Sequence, residues 1–155
     1  MIGVDRIAGG PEIARRMGAD IVIDSSREDP VQEILRLTGG RGVDVAIEAL
    51  GIQDTFEACL RVLRPGGALS SLGVYSSDLK IPLAAFAAGL GDHKIVTTLC
   101  PGGKERMRRL MAVIEAGRLD LGAMVTQRFT LDDIEKAYDL FAHQRDGVLK
   151  VAITP

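Results

Sequence analysis

Short β-rich runs alternate with amphipathic stretches through the first half of the chain, and no other feature limits its fold so tightly. MIGV precedes EIARRMGAD, IVID precedes VQEILRLTGG, VDVAIEAL precedes TFEACLRVL, and ALSSLGVYS ends the series. Ile13, Ala14 and Met17 recur at helical spacing after Pro11, which suits the first turn of a helix, and Gly18 stops the run. Val31, Ile34, Leu35 and Thr38 share a second helical face that ends at Gly39 and Gly40. Asp54 with Glu57 three residues on reads as a capping box, and the PGG at 65–67 as a turn. Parallel strands cannot be joined by a tight hairpin, so strand and helix in alternation imply right-handed crossovers and an α/β fold.

The second half is less regular. LKIPLAAFAAGLG is apolar but interrupted by Pro82, and KIVTTL reads as a further strand. In KERMRRLMAVIEAG, Met107, Leu110, Met111 and Ile114 form one helical stripe, assigned to core packing. FTLDDIEKAYDLFAHQRDG predicts a last helix with Thr130 as N-cap and Asp133 three residues later, and VLKVAIT a closing strand. There is no internal repeat or linker, so residues 1–155 are expected to be one domain.

Composition excludes several functions. Nineteen basic and twenty-one acidic residues are interspersed, for a net charge of -2, which gives no positive field for nucleic acid or an anionic membrane. Cys59 and Cys100 are too few and too far apart for a disulfide framework or a thiolate zinc site, and a reducing cytoplasm is the expected compartment. The longest apolar stretch is too short to span a bilayer. His93 and His143 lack neighbouring metal ligands and are read as surface or capping residues. Asp132 and Asp133 suit a helix start, Ser70, Ser71, Ser76 and Ser77 lack the G-x-S-x-G signature, and Cys100 has no adjacent cation to activate it.

Taken in order, the elements read as strands two to six of a Rossmann-like, doubly wound parallel sheet. Such a unit opens with a strand and a G-x-G-x-x-G turn facing pyrophosphate, and an acidic residue about 20 positions later holds the adenosine ribose. Asp5, after MIGV, matches that acid. No G-x-G-x-x-G precedes it, and the glycine pairs at 9–10, 39–40, 66–67 and 102–103 are turn glycines. The expectation is a partial dinucleotide-binding domain, lacking its first strand and glycine-rich turn. Losing that central strand would leave its two neighbours with open edges, which predicts a homo-oligomer or a gap closed by joining strands two and four.

IGVDR, ARRMGAD, GRGVDVAIEALG, LRPGGALSSLGVY, DHKIVTTLCPGG, RMRRLMAVIEAGRLDL and DGVLKVAITP together resemble the C-terminal coenzyme domain of zinc-dependent medium-chain alcohol dehydrogenases. LCPGG and the HK pair are most similar to the bacterial secondary-alcohol branch and less similar to zinc-free quinone reductases. The resemblance implies that Asp5 accepts hydrogen bonds from the adenosine ribose, with Arg6 beside the adenine, and that a carboxylate there favours NAD over NADP. It places the nicotinamide and its ribose against Glu48, Ala49 and Leu50, against Gly73, Val74 and Tyr75, and against Leu99 and Cys100. It puts Lys150 on the pyrophosphate. The implied reaction is oxidation of a small alcohol to a carbonyl compound by NAD, helped by a zinc ion. The zinc ligands and proton relay would lie in an N-terminal domain, so this chain is expected to bind NAD weakly or not at all, to hold no catalytic zinc and to be inactive alone. The alternative is a noncatalytic nucleotide-binding or oligomerisation module working with a partner chain.

Overall fold

The computed structural model describes residues 1–7, 9–98 and 102–155. They form two compact units, one of residues 1–6 and 10–98 and the other of residues 7, 9 and 102–155.

The first unit carries the alternation. Strand β1 (Ile2–Asp5), helix α1 (Gly10–Arg16), strand β2 (Ile21–Asp24), helix α2 (Pro30–Leu37), strand β3 (Val43–Glu48), helix α3 (Gln53–Arg61), strand β4 (Leu63–Ser71) and strand β5 (Lys94–Thr97) follow one another. Every ladder is parallel, as crossover connections require: β1 pairs with β2, and β3 with β4, which pairs in turn with β5. Among the described residues no ladder joins β1 to β3, so each keeps one unused edge. The fold is α/β with parallel sheets, as the pattern predicts.

Its core lies between the helices and the strands. Ile23 of β2, Ile34 of α2, Phe56 and Leu60 of α3, and Ala46 and Leu69 of β3 and β4 are buried in one cluster. Alternation then puts Val45 and Ile47 on the other face of β3, where both are exposed. Asp29 caps α2, accepting from the Val31 and Gln32 amides at 2.8 and 3.3 Å, with Pro30 in the first turn.

The second unit is a smaller strand, helix and strand. Helix α4 (Lys104–Glu115) precedes strand β6 (Val125–Thr130), helix α5 (Ile134–Ala142) and strand β7 (Lys150–Thr154). β6 and β7 form a parallel ladder, α5 packs on it, and Ala137 and Val148 are buried.

Several expectations change. The proposed capping box is not formed: α3 starts at Gln53 with Ile52 at its cap, and Glu57 binds Arg61 at 2.6 and 2.8 Å, because a pair four residues apart on the formed helix is the better partner. The PGG segment does not separate helix from strand. It is an excursion inside β4, between the partners of Val43 and Val45, and is pinned by the Gly66 amide on Gly91 O at 2.7 Å. The α4 stripe is not core: Met107 and Leu110 are 60% and 61% exposed, and Met111 is exposed too. The strand β6 was hidden in sequence because its alternation mixes polar residues into the covered face, Val125, Gln127 and Phe129 against Thr126, Arg128 and Thr130. Thr130 caps only a single 3-10 turn, its hydroxyl making no capping bond to the backbone.

Candidate functional site

Glu48 closes β3, directly beside Ser71 at the end of β4. It is 1% exposed, and a buried carboxylate must find donors. Oε1 accepts from the Leu50 amide at 2.8 Å, the Gly51 amide at 2.8 Å and the Thr55 hydroxyl at 2.7 Å. Oε2 accepts from the Tyr75 hydroxyl at 2.6 Å, and Ser71 Oγ lies 2.8 Å from that hydroxyl. Burial pushes the Glu48 carboxyl up, but Tyr75, Gly51, Thr55 and Leu50 together outweigh it and hold the group below the usual range. Burial and the neighbouring Glu48 raise the Tyr75 phenol, against Ser71. The Tyr75 ring is seated edge-on against Phe56, with centroids 6.0 Å apart.

Two glycines let the chain segments cross here. Gly51 adopts φ +86, and a Cβ on it would lie 2.7 Å from the Val74 carbonyl carbon. A Cβ on Gly73 would collide with the Gly51 nitrogen and with Glu48 Oε2. The close approach expected of Gly73 is therefore to its own chain. Outside this crossing Ala49 is exposed, and Leu50 and Val74 are 66% and 83% exposed. The strand expected to reach Tyr75 ends at Ser71, which leaves 72–75 free to fold back onto Glu48.

Asp5 ends β1 and is half-buried, with Oδ1 accepting from the Arg6 amide at 2.7 Å. Gly10 at the start of α1 packs on its carboxylate so closely that a Cβ would lie 2.6 Å from Asp5 Cγ. Arg6 is exposed. Lys150 belongs to the second unit, exposed at the first position of β7. Leu99 and Cys100 lie outside the described residues.

The sequence named the strand ends but missed Thr55, Gly10 and the role of Ser71. A glutamate closing a largely apolar strand, with a threonine seven residues later, was the available signal. The remaining groups are quiet. His143 caps α5, with Nδ1 2.9 Å from Asp139 O. His93 is not a surface residue: it is half-buried, its Nδ1 is buried without a partner among the described residues, and Gly91 makes room for its ring. It lines a cavity of about 480 Å³ with Asp29, Gln32, Arg61 and Ala85, by the start of β4 and away from Glu48. Burial, then the Glu48 charge, pushes the Cys59 thiol up to about 11, which makes it a poor nucleophile. Among the described residues no three His, Cys, Asp or Glu side chains are grouped to hold a metal ion, so they do not fit a catalytic zinc. No helix among them is long and apolar enough to cross a membrane.

Residues 1–116 match the family model described as zinc-binding dehydrogenase. The chain belongs to the zinc-binding dehydrogenase family. It is 73% identical over 144 residues to an alcohol dehydrogenase of Cupriavidus necator, a match covering 93% of this chain and 39% of that protein. An NADP-dependent isopropanol dehydrogenase of Thermoanaerobacter brockii is 30% identical, with 92% of this chain and 41% of that protein covered. Among solved structures, the apo form of zinc dependent alcohol dehydrogenase 2 from Streptococcus pneumonia superimposes with a TM-score of 0.86 at 33% identity, covering 98% of this chain and 43% of that one. The chain thus spans about two fifths of the relatives it matches. The family match, residues 1–116, runs along the chain to just past the end of α4.

Proposed function

We propose that the chain is the coenzyme-binding part of an NAD-dependent alcohol dehydrogenase. The observation that carries this reading is the 73% identity to the Cupriavidus necator alcohol dehydrogenase over almost the whole chain. In it, Asp5 holds the adenosine ribose with Arg6 at the adenine, the backbone of Ala49 and Leu50 and of Gly73 to Tyr75 faces the nicotinamide and its ribose, Leu99 and Cys100 extend that contact, and Lys150 meets the pyrophosphate. Residues at the carboxyl ends of parallel strands are where open α/β sheets bind such ligands, and Asp5, Glu48 and the segment after Ser71 stand at such ends. The half-buried Asp5, braced by Gly10, supports the adenosine end.

Relatives near 30% identity include enzymes named NADP-dependent and one of Sulfurisphaera tokodaii named NAD-dependent, so likeness alone does not choose the cofactor. Asp5 supports NAD, because a 2'-phosphate would bring negative charge against its carboxylate. Bound NAD supplies the hydride acceptor for a small alcohol, a secondary one on this reading. The zinc ligands and proton relay belong to the stretch of the longer relatives that this chain does not match. The chain works in the cytoplasm, and pairs with a second copy through β5 near Lys94 to Leu99 and the segment Leu79 to Pro82. Ile81 and Val96 are exposed there, which supports the pairing, while Leu99 lies outside the described residues.

Turnover is the test. Purified chain supplied with isopropanol, NAD and zinc should form no NADH above background, and sustained NADH formation would refute the assignment of catalysis to residues outside it.

A further inference from the structure

Glu48 spends every contact inward. Its oxygens take two backbone amides and two hydroxyls, drawn from the turn after β3, from the first turns of α3 and from the segment after β4. None of those partners is a cation, so no opposite charge repays the desolvation of the carboxylate; directional hydrogen bonds do. An apolar side chain of similar volume would fill the space without that cost but could not fix two separate segments in register. An ionised carboxylate cannot donate, so the Tyr75 hydroxyl donates to Oε2, and Ser71 must then donate to Tyr75. The glycine crossing holds the two segments in close contact, since a Cβ on Gly51 would meet the Val74 backbone and one on Gly73 the Gly51 backbone.

We propose that Glu48, through Tyr75, is a positioning residue: it locks the Leu50–Gly51 turn to the Gly73–Tyr75 segment so that their outward backbone presents one pre-set edge to the nicotinamide end of the dinucleotide, without touching the cofactor itself. This rests on the reading of those segments as the nicotinamide side. Preorganisation of this kind lowers the ordering cost of binding, so its loss weakens contacts at that end while the adenosine end at Asp5 is untouched.

The test uses the chain itself, isotope-labelled, with amide exchange and chemical shifts read by NMR while NADH or AMP is added to millimolar concentration. AMP reports the adenosine end alone, and NADH both ends. Glu48→Ala removes the lock but risks unfolding. Glu48→Gln keeps the shape and lets its amide donate to Tyr75, and Tyr75→Phe removes one strut. Exchange at Leu50 and Gly51 should quicken about tenfold in Glu48→Gln, and more in Glu48→Ala if it folds. NADH affinity should fall in Glu48→Gln and Tyr75→Phe while the AMP response at Asp5 and Arg6 stays that of the wild type. Unchanged exchange and unchanged NADH response in both variants would overturn the proposal. A wild type in which NADH moves Asp5 and Arg6 but not Leu50, Gly51 or Val74 would instead overturn the nicotinamide reading, and the proposal with it, while the exchange rates still report the lock separately.

Discussion

Three carboxylates end strands in the first unit, Asp5, Asp24 and Glu48, and the surroundings of Asp5 and Glu48 set those two apart. Glu48 is enclosed by four donors, whereas Asp5 is half-buried beside Gly10. Glu48→Ala would orphan donors in a buried site and should lower the unfolding free energy by about 3 kcal/mol or more, read as a lower urea midpoint. Because the Glu48 carboxyl titrates lower when folded than when unfolded, its stabilising effect is complete above the unfolded carboxylate range and fades as pH falls through the folded value. Urea midpoints followed down from about pH 5 should therefore fall more steeply in the wild type than in Glu48→Gln, given unfolded glutamate values near 4.3. Asp5→Gly should narrow the preference for NADH over NADPH by about fivefold, measured as a ratio of dissociation constants, since one like-charge contact in a water-like dielectric is worth about 1 kcal/mol. Both positions were legible in sequence as strand ends. The direction of the Glu48 side chain was not, because strand spacing fixes a face and leaves open whether a carboxylate turns outward to a ligand or inward to its own loop.

At the level of elements, the parallel strands and the helices between them follow from alternating periodicity, and β2 runs over the very residues IVID that the pattern marks. Where the pattern failed, a local preference lost either to another local one or to the sheet. Glu57 gave up a capping role for Arg61, and the PGG segment bulged within a strand held on both sides by β3 and β5. β6 was missed because a glutamine occupies its covered face. The crossing of the β3 and β4 extensions gives a sharp prediction: Gly73→Ala would drive a methyl into the Gly51 backbone and the Glu48 carboxylate, neither of which can withdraw. It should destabilise the chain by about 1–3 kcal/mol by thermal unfolding, whereas alanine at Gly102, which meets nothing within 4 Å, should be close to neutral.

Among the described residues, β1 and β3 hold unused edges and α4 has an exposed apolar stripe, features that isolated proteins seldom leave uncovered. The chain should therefore associate at micromolar concentration, and light scattering that gives only a monomer would count against the proposed pairing. The family was legible from linked motifs along the chain and agrees with the match over residues 1–116. Catalysis was not, since the described residues group no metal ligands and the chain spans about two fifths of its relatives. The central claim is that the ends of β1, β3 and β4 form a dinucleotide site that prefers NAD. Its most direct test is a comparison of NADH and NADPH titrations of the labelled chain by NMR. The account predicts weak, saturating shifts at Asp5, Arg6, Leu50, Gly51 and Val74, reached at lower concentration with NADH than with NADPH. Shifts confined to other residues, such as those around His93, or a preference for NADPH, would contradict it.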